Sequence, residues 1–298
     1  MSLPPETGSA DTGVIHDIGY RGYRGPRLGR GHATRALFTQ SLRAAYGLGR
    51  SGKAKVLPML VLAATTLPAA IVVAFALTTK LDDLGVEYAG YLSSVGMLVW
   101  IFLAAQAPVL LSRDLRHHTV PLYFSRPITR GDYVRAKFAA MFCAQFLLMA
   151  APLLVLYAGA LLGGMDVGDN TEHALYGLAA ALLYALVPTS VALAIAGFTP
   201  RRGFGVAAIM GYLAVSAAVA AVAVGITRGT DSADAAQWTA LISPDGLVES
   251  LVNELFDLGG GLDRRHAPGG VGTAVFALVA VALVAGSYRL LLRRYEKI

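Results

Sequence analysis

The fold of this chain is decided by the stretch Val56-Leu-Pro-Met-Leu-Val-Leu-Ala-Ala-Thr-Thr-Leu-Pro-Ala-Ala-Ile-Val-Val-Ala-Phe-Ala-Leu-Thr-Thr79, which contains no charged residue. An α-helix needs roughly 20 apolar residues to cross the hydrocarbon core of a bilayer, and this stretch exceeds that length. Five further runs, nearly free of charge, follow at Tyr91–Leu111, Ala136–Leu162, Ala174–Phe198, Phe204–Ile226 and Val271–Leu292. None shows the alternation of a barrel strand, so the sequence predicts an all-α polytopic membrane protein with six transmembrane helices.

The composition leaves little room for anything else. Of the 298 residues, 55% are hydrophobic and 15% are charged, so six spans and their loops account for most of the chain. Enzymatic machinery that needs an independent globular fold must therefore come from a partner. The single cysteine, Cys143, lies within the third apolar run and cannot form an intrachain disulfide.

The distribution of basic residues predicts the orientation in the membrane. With the N-terminus inside, the cytoplasmic segments are 1–55, 112–137, 199–203 and 289–298, and the outer ones are 80–90, 163–173 and 227–270. The cytoplasmic segments carry 21 Lys and Arg against 6 Asp and Glu, whereas the outer segments carry 4 against 13. The positive-inside rule then places both termini in the cytoplasm. We attribute the net charge of +6 to this topology and to contact with anionic membrane lipids, not to nucleic-acid binding.

Residue usage suggests the source membrane. Arg outnumbers Lys by 20 to 5, and Ala and Gly are abundant, which is typical of a GC-rich bacterial genome. The predicted location is therefore a bacterial plasma (inner) membrane.

The chain before the first span divides into two segments. Residues 1–31 predict a disordered basic cytoplasmic tail, whose Gly, Tyr and Arg repeat fits contact with an anionic membrane face better than RNA binding. Residues 32–55 predict an elbow helix and hinge, before a six-helix transmembrane domain at 56–298. Within His32–Arg50, apolar residues share one face of an amphipathic helix predicted to lie in the cytoplasmic interface. They are Leu37, Phe38, Leu42, Ala45, Tyr46 and Leu48.

The hinge contains an apparent nucleotide-binding motif. The stretch Gly47-Leu-Gly-Arg-Ser-Gly-Lys-Ala54 has the glycine and lysine spacing of a P-loop, but Ala54 stands where Ser or Thr must hold magnesium. A P-loop also follows a β-strand, whereas this stretch follows a predicted helix. We therefore predict a basic hinge and no nucleotide, cofactor or metal bound by this chain.

Small and polar residues within the spans suggest how the helices pack. Gly159 with Gly163, and Ala207 with Gly211, recur at the four-residue spacing that permits close helix approach. Gln106 and Gln145 are the most notable deep polar residues. We expect them to form interhelical hydrogen bonds, and a contact with substrate along a pathway is the alternative.

The outer loop 227–270 predicts a second amphipathic helix, between the fifth and sixth spans. Ser243 is a typical N-cap, Pro244 suits the first helical position, and Asp245 places an acid in the first turn. The glycines at 259–261 would end the helix. Its predicted apolar face consists of Leu247, Val248, Leu251, Val252, Leu255 and Leu258.

The inner loop 112–135, between the second and third spans, is the most specific segment. It contains a short amphipathic stretch, an Arg126-Pro127 turn and a new helix start at Thr129 with Asp132 in the first turn. A structured, charged loop of this kind predicts a docking element for a cytoplasmic partner. The adjacent pair His117 and His118 lacks further clustered ligands and does not predict a metal site.

This loop resembles the second inner loop of the permease subunits of type-2 ABC exporters. The matching residues are Asp114, Thr119, Ser125-Arg-Pro-Ile-Thr-Arg130 and Lys137. The chain departs from that pattern at His118, where the family usually has Gly, and at 121–124, which is less rich in Leu. An elbow helix, six spans and an outer helix between the fifth and sixth extend the resemblance over nearly the whole chain.

The resemblance implies a permease subunit that pairs with a second one, as homodimer or heterodimer, and docks a separate ABC ATP-binding subunit through the inner loop and the elbow helix. That partner would bind ATP and magnesium, and its closure would drive an amphipathic or lipid-like substrate outward. The residues expected to dock it are Arg113, Asp114, Arg116, Tyr123, Phe124, Arg126, Pro127 and Arg130.

Two other functions remain open. A non-transporting membrane anchor or immunity partner would use a docking loop in the same way, so the sequence hardly separates it from a permease. A membrane-embedded enzyme is disfavoured, because the spans contain no paired acids, metal cluster or activated nucleophile.

Overall fold

The computed structural model describes residue 25 and residues 28–117, 119–125, 128–229, 233–256 and 266–297. Across these residues the regular structure is entirely helical. The helices are, in chain order, α1 (Arg30–Ala45), α2 (Gly52–Thr79), α3 (Tyr88–Ser94), α4 (Gly96–Leu110), α5 (Ser112–Arg116), α6 (Val120–Phe124), α7 (Arg130–Leu162), α8 (Val167–Phe198), α9 (Arg202–Gly229), α10 (Ala233–Trp238), α11 (Pro244–Leu255) and α12 (Gly269–Glu296). A short 3-10 turn, Thr239–Ile242, leads from α10 to α11.

Among the described residues, six helical segments are long and apolar enough to cross a membrane: α2, α4 continued by α5, α7, α8, α9 and α12. Five of the predicted apolar runs each lie within one of these helices. The second, Tyr91–Leu111, is broken at Val95, where φ is −96° and ψ is 3°, so that the short helix α3 precedes α4. The prediction of an all-α polytopic membrane protein with six transmembrane helices is confirmed.

The six spans form an inner and an outer group. Of the 18 most apolar residues of each span, 67% are buried in the second (α4 with α5), 56% in α7 and 61% in α8. In α2, α9 and α12 the buried share is 22%. α7 contacts α1, α2, α4, α8 and α12, and α8 contacts α4, α9, α11 and α12 as well. The core of the bundle therefore lies around α4, α7 and α8.

Glycines allow α2 and α7 to approach closely. A Cβ on Gly159 would overlap the side chain of Val73, and a Cβ on Gly163 would lie 3.1 Å from a methyl group of Leu77. The predicted packing role of this pair is confirmed.

For Ala207 and Gly211 the structure shows no close packing within the described part of this chain, so the prediction stays a prediction. Ala207 is exposed, and a Cβ on Gly211 would meet open space. α9 instead approaches α4 at Gly205, whose Cβ would lie 2.9 Å from Pro108. The contact is confined to one face of α9, and the four-residue spacing alone does not show which face that is.

The amphipathic helix before the first span is confirmed as α1. Leu37 and Ala45 are buried, and three more of the predicted apolar residues pack against the core. Leu48 is 42% exposed, so its predicted place on this face is wrong. The helix ends at Ala45, and Leu48 lies in the turn that follows, where helical spacing no longer applies.

α1 runs along the first part of α7. Near its start, Arg30 contacts Asp132 in the first turn of α7. Just past its end, the Tyr46 hydroxyl donates a hydrogen bond of 2.7 Å to the carbonyl of Ala144. The two contacts on α7 are separated by about 18 Å at the rise of an α-helix. α1 is thus a strut beside the third span.

The glycines of the hinge serve a tight turn between α1 and α2. Gly47 has φ +68° and Gly49 has φ +79°, in the left-handed region that favours glycine. A Cβ on Gly47 would also collide with the carbonyl of Ala54. The spacing that imitates a P-loop is therefore explained by the turn that joins two helices.

The second amphipathic helix is confirmed as α11. The hydroxyl of Ser243 accepts a hydrogen bond of 3.0 Å from the backbone N–H of Gly246, as expected of an N-cap. Four of the predicted apolar residues, Leu247, Val248, Leu251 and Val252, are buried. Leu255, at the last turn, is 60% exposed, and Leu258 and the glycines at 259–261 lie outside the described residues.

Candidate functional site

One end of the bundle collects the segments richest in basic residues, and we call it the basic end. It comprises 28–55, 112–117, 119–125, 128–137, 199–203 and 289–297. Contacts hold these segments together: Arg30 with Asp132, the rings of Tyr133 and Tyr295 at 5.0 Å, and the Arg294 guanidinium 5.8 Å from the Phe198 ring. The inner loop therefore touches both the helix before the first span and the last helix of the chain.

The inner loop is built from two short helices and a capped helix start. α5 and α6 are linked at Thr119, whose N–H and hydroxyl both donate to the carbonyl of Asp114. Thr129 then caps α7: its hydroxyl accepts from the N–H of Asp132, and the Asp132 carboxylate accepts from the N–H of Thr129 at 3.1 Å. This reciprocal capping box confirms the predicted helix start. Ile128, just before it, is buried.

A buried polar network ties this loop to two spans, and we call it the Asp114 network. Lys137 Nζ lies 2.9 Å from Asp114 Oδ2, and the Tyr133 hydroxyl donates to the same oxygen at 2.8 Å. The side chains of Lys137 and Asp114 are 8% and 15% exposed. Lys137 also lies 5.4 Å from the ring centre of Tyr133, which packs on Tyr295 of α12. Because the ion pair is largely shielded from water, removing any one member of the network leaves the others without a partner.

A second set of polar contacts joins α1 to the start of α7. Arg30 donates to both carboxylate oxygens of Asp132, at 2.5 and 2.9 Å, and to the hydroxyl of Thr129 at 3.0 Å. The hydrogen bond to Asp132 raises the pKa of Arg30. This bidentate geometry fixes direction as well as distance. The strut α1 and the inner loop are therefore held as one unit.

The aromatic residues of the loop face inward. Tyr123 and Phe124 are half-buried, with ring centres 5.6 and 6.2 Å from that of Tyr133. The apolar side chain that faces outward is Leu122, which is 67% exposed. The prediction that Tyr123 and Phe124 enter a partner's groove stays a prediction, and the structure gives both rings a place within this chain.

The charged residues predicted for docking occupy different positions. Arg116 and Arg130 are exposed beside the loop, and Arg130 lies 5.5 Å from the ring centre of Phe124. Arg113 is exposed on the side that faces α1. Asp114 belongs to the network described above. Arg126 and Pro127 lie outside the described residues.

The deep polar residues of the spans are both buried. Gln145 of α7 donates to the carbonyl of Val99 in α4 at 3.3 Å, which confirms the interhelical hydrogen bond expected there. Gln106 is 4% exposed within α4. Contact of either residue with a transported substrate stays a prediction.

Sequence reasoning missed three components of this site. Lys137 entered only as part of a motif, Tyr295 was not singled out, and Leu122 was passed over in favour of its aromatic neighbours. The available signal for Lys137 was its position: a lysine at the start of a long apolar run, Ala136–Leu162, needs a partner. Nothing in the linear sequence relates Tyr295 to Tyr133, which lies 162 positions earlier.

Comparisons with known proteins give no family for this chain. It matches no protein-family model, and no curated protein matches its sequence. Within the described residues, no group of three or more His, Cys, Asp or Glu side chains is arranged to hold a metal ion.

Proposed function

We propose that this chain is the membrane-spanning permease subunit of an ATP-driven ABC exporter. In this proposal a separate ATP-binding subunit docks on the inner loop, hydrolyses ATP and drives the movement of the spans. The chain itself supplies the pathway and the transmission of force. The motif 114–137, which resembles the corresponding loop of type-2 exporters, and the order of the helices support the proposal.

The observation that carries it is the way the inner loop is mounted. The loop exposes the apolar side chain of Leu122 and the basic side chains of Arg116 and Arg130. Arginine is among the residue types enriched at the hot spots of protein interfaces. The inward face of the loop is fixed to α7 and α12 by the Asp114 network.

This attachment of the inner loop to the helices is suited to the transmission of force. A loop that merely connected two spans would absorb a push from a partner. A loop joined to α7 by a buried ion pair, and through α7 to the strut α1, moves together with those helices. We infer that a displacement of the loop becomes a displacement of the third span.

The proposal also specifies the surroundings of the chain. The basic end, with both termini, faces the cytoplasm of a bacterium, and the excess of Lys and Arg in those segments supports that orientation. A second permease subunit, identical or related, completes the pathway. The apolar surfaces of α2, α9 and α12, largely unburied within this chain, are available to that subunit and to lipid. The cargo is amphipathic or lipid-like.

The first test is co-purification. The tagged chain is extracted from native membranes in a mild detergent, and the preparation is assayed for a P-loop ATPase. We expect one to co-purify and Leu122→Asp to reduce its amount at least about thirtyfold, the effect of losing a hot-spot residue worth 2 kcal/mol. Arg126→Ala tests the predicted basic contact in the same assay.

The matched control is Leu81→Asp, which introduces the same charge at a 42% exposed leucine just after α2, at the opposite end of the bundle. It should leave the ATPase bound. If no ATPase is recovered under conditions that preserve other membrane complexes, the permease proposal is wrong, and the anchor or immunity function should be examined next.

A further inference from the structure

A second surface of the basic end is a groove between α1 and the ends of several spans. Its volume is about 690 Å³. One wall is the outward face of α1, with Arg35 and Arg43, and the other is formed by Arg50 in the hinge and Arg113 in α5. We call it the elbow groove.

The elbow groove is strongly basic and has no acidic wall. Among the residues that the structure describes, the ion pairs at this end are Arg30 with Asp132 and Lys137 with Asp114. None of the four groove arginines has an acidic partner there. Burial first, and then the positive charges of Arg113 and Arg202, lower the pKa of Arg50. Four guanidinium groups that have no acidic partner among the described residues favour an anion.

The depth of the groove indicates where that anion comes from. Arg50 lies two residues before α2 begins, Arg113 lies in α5 at the end of the second span, and Arg202 is the first residue of α9. The ends of three transmembrane helices define the level of the lipid headgroups. Beside the groove, Leu48 and Val56 are 42% and 60% exposed, so apolar surface adjoins the arginines.

We propose that the elbow groove binds the phosphate of an anionic phospholipid, with Arg50 and Arg113 as its principal contacts. A guanidinium group offers two parallel N–H donors to two phosphate oxygens, and basic pockets between transmembrane helices commonly hold such headgroups. Arg35 and Arg43 contact the outer part of the headgroup. The acyl chains lie along the exposed apolar residues at the start of α2.

This assignment removes Arg113 from the predicted docking residues, but it does not otherwise depend on the proposed transport function. The outward face of the inner loop, with Leu122, remains available to a protein partner while a lipid occupies the groove. An acidic protein segment is the competing occupant. It is disfavoured because Arg50 and Arg113 lie at the headgroup level, where a protein partner would first have to displace lipid.

The test is lipid binding to the full-length purified chain. Native mass spectrometry in detergent compares retention of phosphatidylglycerol with that of phosphatidylcholine. We expect preferential retention of phosphatidylglycerol, and about a thirtyfold weaker preference in Arg50→Gln with Arg113→Gln, since each of the two basic residues contributes about 1 kcal/mol near an anionic surface. The matched control, Arg293→Gln with Lys297→Gln, removes the same charge from exposed residues of the basic end outside the groove. This control should keep the preference for phosphatidylglycerol.

Three results would overturn the proposal. One is equal retention of the two lipids by the unmodified chain. Another is an equal loss of preference in the groove variant and the control. The third is displacement of phosphatidylglycerol by millimolar inorganic phosphate, which would make the groove a simple anion site. If the groove variant unfolds, Arg35→Gln with Arg43→Gln, on the exposed face of α1, provides the same comparison with a smaller expected loss.

The competing occupant has its own signature. If the groove variant keeps its lipid preference but loses a co-purifying protein, the groove is a protein-docking surface and the lipid assignment is wrong. Loss of the lipid preference with retention of that protein supports the assignment. The transport proposal can fail in its own assay without affecting this result.

Discussion

The two ends of the bundle hold their connecting segments by different forces. At the basic end, the inner loop is fixed by charged and hydroxyl groups: Asp114, Lys137 and Tyr133 in one network, and Arg30 with Asp132 in another. At the opposite end, α11 packs four buried aliphatic side chains against α8, α9 and α12, and its ion pair of Glu254 with His266, at 3.8 Å, is more exposed. The first arrangement depends on precise partners, and the second on apolar area.

This difference indicates how each end of the bundle responds when one of its contacts is changed or displaced. A buried ion pair is weak evidence for stability but strongly resists the loss of one member, because the remaining charge has no partner. Aliphatic packing tolerates small shifts as long as the area stays buried. A segment that must move as a unit with a span is better fixed by the first arrangement, and a segment that only covers the bundle by the second.

The largest expected effect is a loss of stability at the basic end, from a change in the Asp114 network. Lys137→Met leaves the Asp114 carboxylate nearly dry and without its cation, which should destabilise the chain by about 3–5 kcal/mol. The readout is the midpoint of thermal unfolding in detergent. Arg135→Met, at an exposed position two residues earlier in α7, is the matched control and should have little effect.

The double variant Lys137→Met with Asp114→Asn separates the network from simple packing. It removes the orphaned charge and should recover most of the lost stability. If the single and double variants are equally unstable, the ion pair does not hold the loop as we infer.

A somewhat smaller effect is expected at the apolar end. Leu247→Ala removes a fully buried side chain of α11 and leaves a cavity, at a cost of about 2–5 kcal/mol. Leu255→Ala, in the same helix but 60% exposed, should cost much less. Raising the salt concentration should not change the ratio of the two effects. A strong salt dependence would show that α11 is held by charges after all, and would remove the contrast between the ends.

The smallest expected effects compare one helix cap at each end. Thr129→Ala and Ser243→Ala each remove a hydroxyl that accepts from the backbone, at a cost of about 1 kcal/mol each. Thr129→Ala should be the more harmful, because its hydroxyl also accepts from Arg30. The midpoints of thermal unfolding of the two variants would measure the difference. Thr129→Ser and Ser243→Thr, which keep a hydroxyl at each position, are the controls. Equal losses of stability in the two variants would show that the hydrogen bond from Arg30 to Thr129 adds nothing to the stability of the chain.

Local features were predictable from the sequence to the extent that they depend on neighbours in the chain. The capping box at Thr129 and the N-cap at Ser243 follow from residues three positions apart, and both are confirmed. Leu48 was assigned to the apolar face of α1 because helical spacing was extended beyond Ala45, where the helix ends. The Asp114 network joins positions 114, 137 and 295; the loop motif contains Asp114 and Lys137, but no local pattern shows that their side chains pair or that Tyr295 lies beside them.

What the sequence alone determined is the class of the fold: apolar runs longer than a bilayer crossing must become helices, since lipid cannot satisfy backbone polar groups. Only the tertiary structure decided which spans are inside. α2 has a mean hydropathy of 2.4 in its most apolar window and is 22% buried there, whereas the second span has 1.5 and is 67% buried. Lipid tails and a protein core are equally apolar, so hydropathy brings a helix into the membrane without placing it at the centre or the edge of the bundle. That choice depends on shape and on polar partners such as Gln145 and Lys137, whose contacts exist only once the helices have packed.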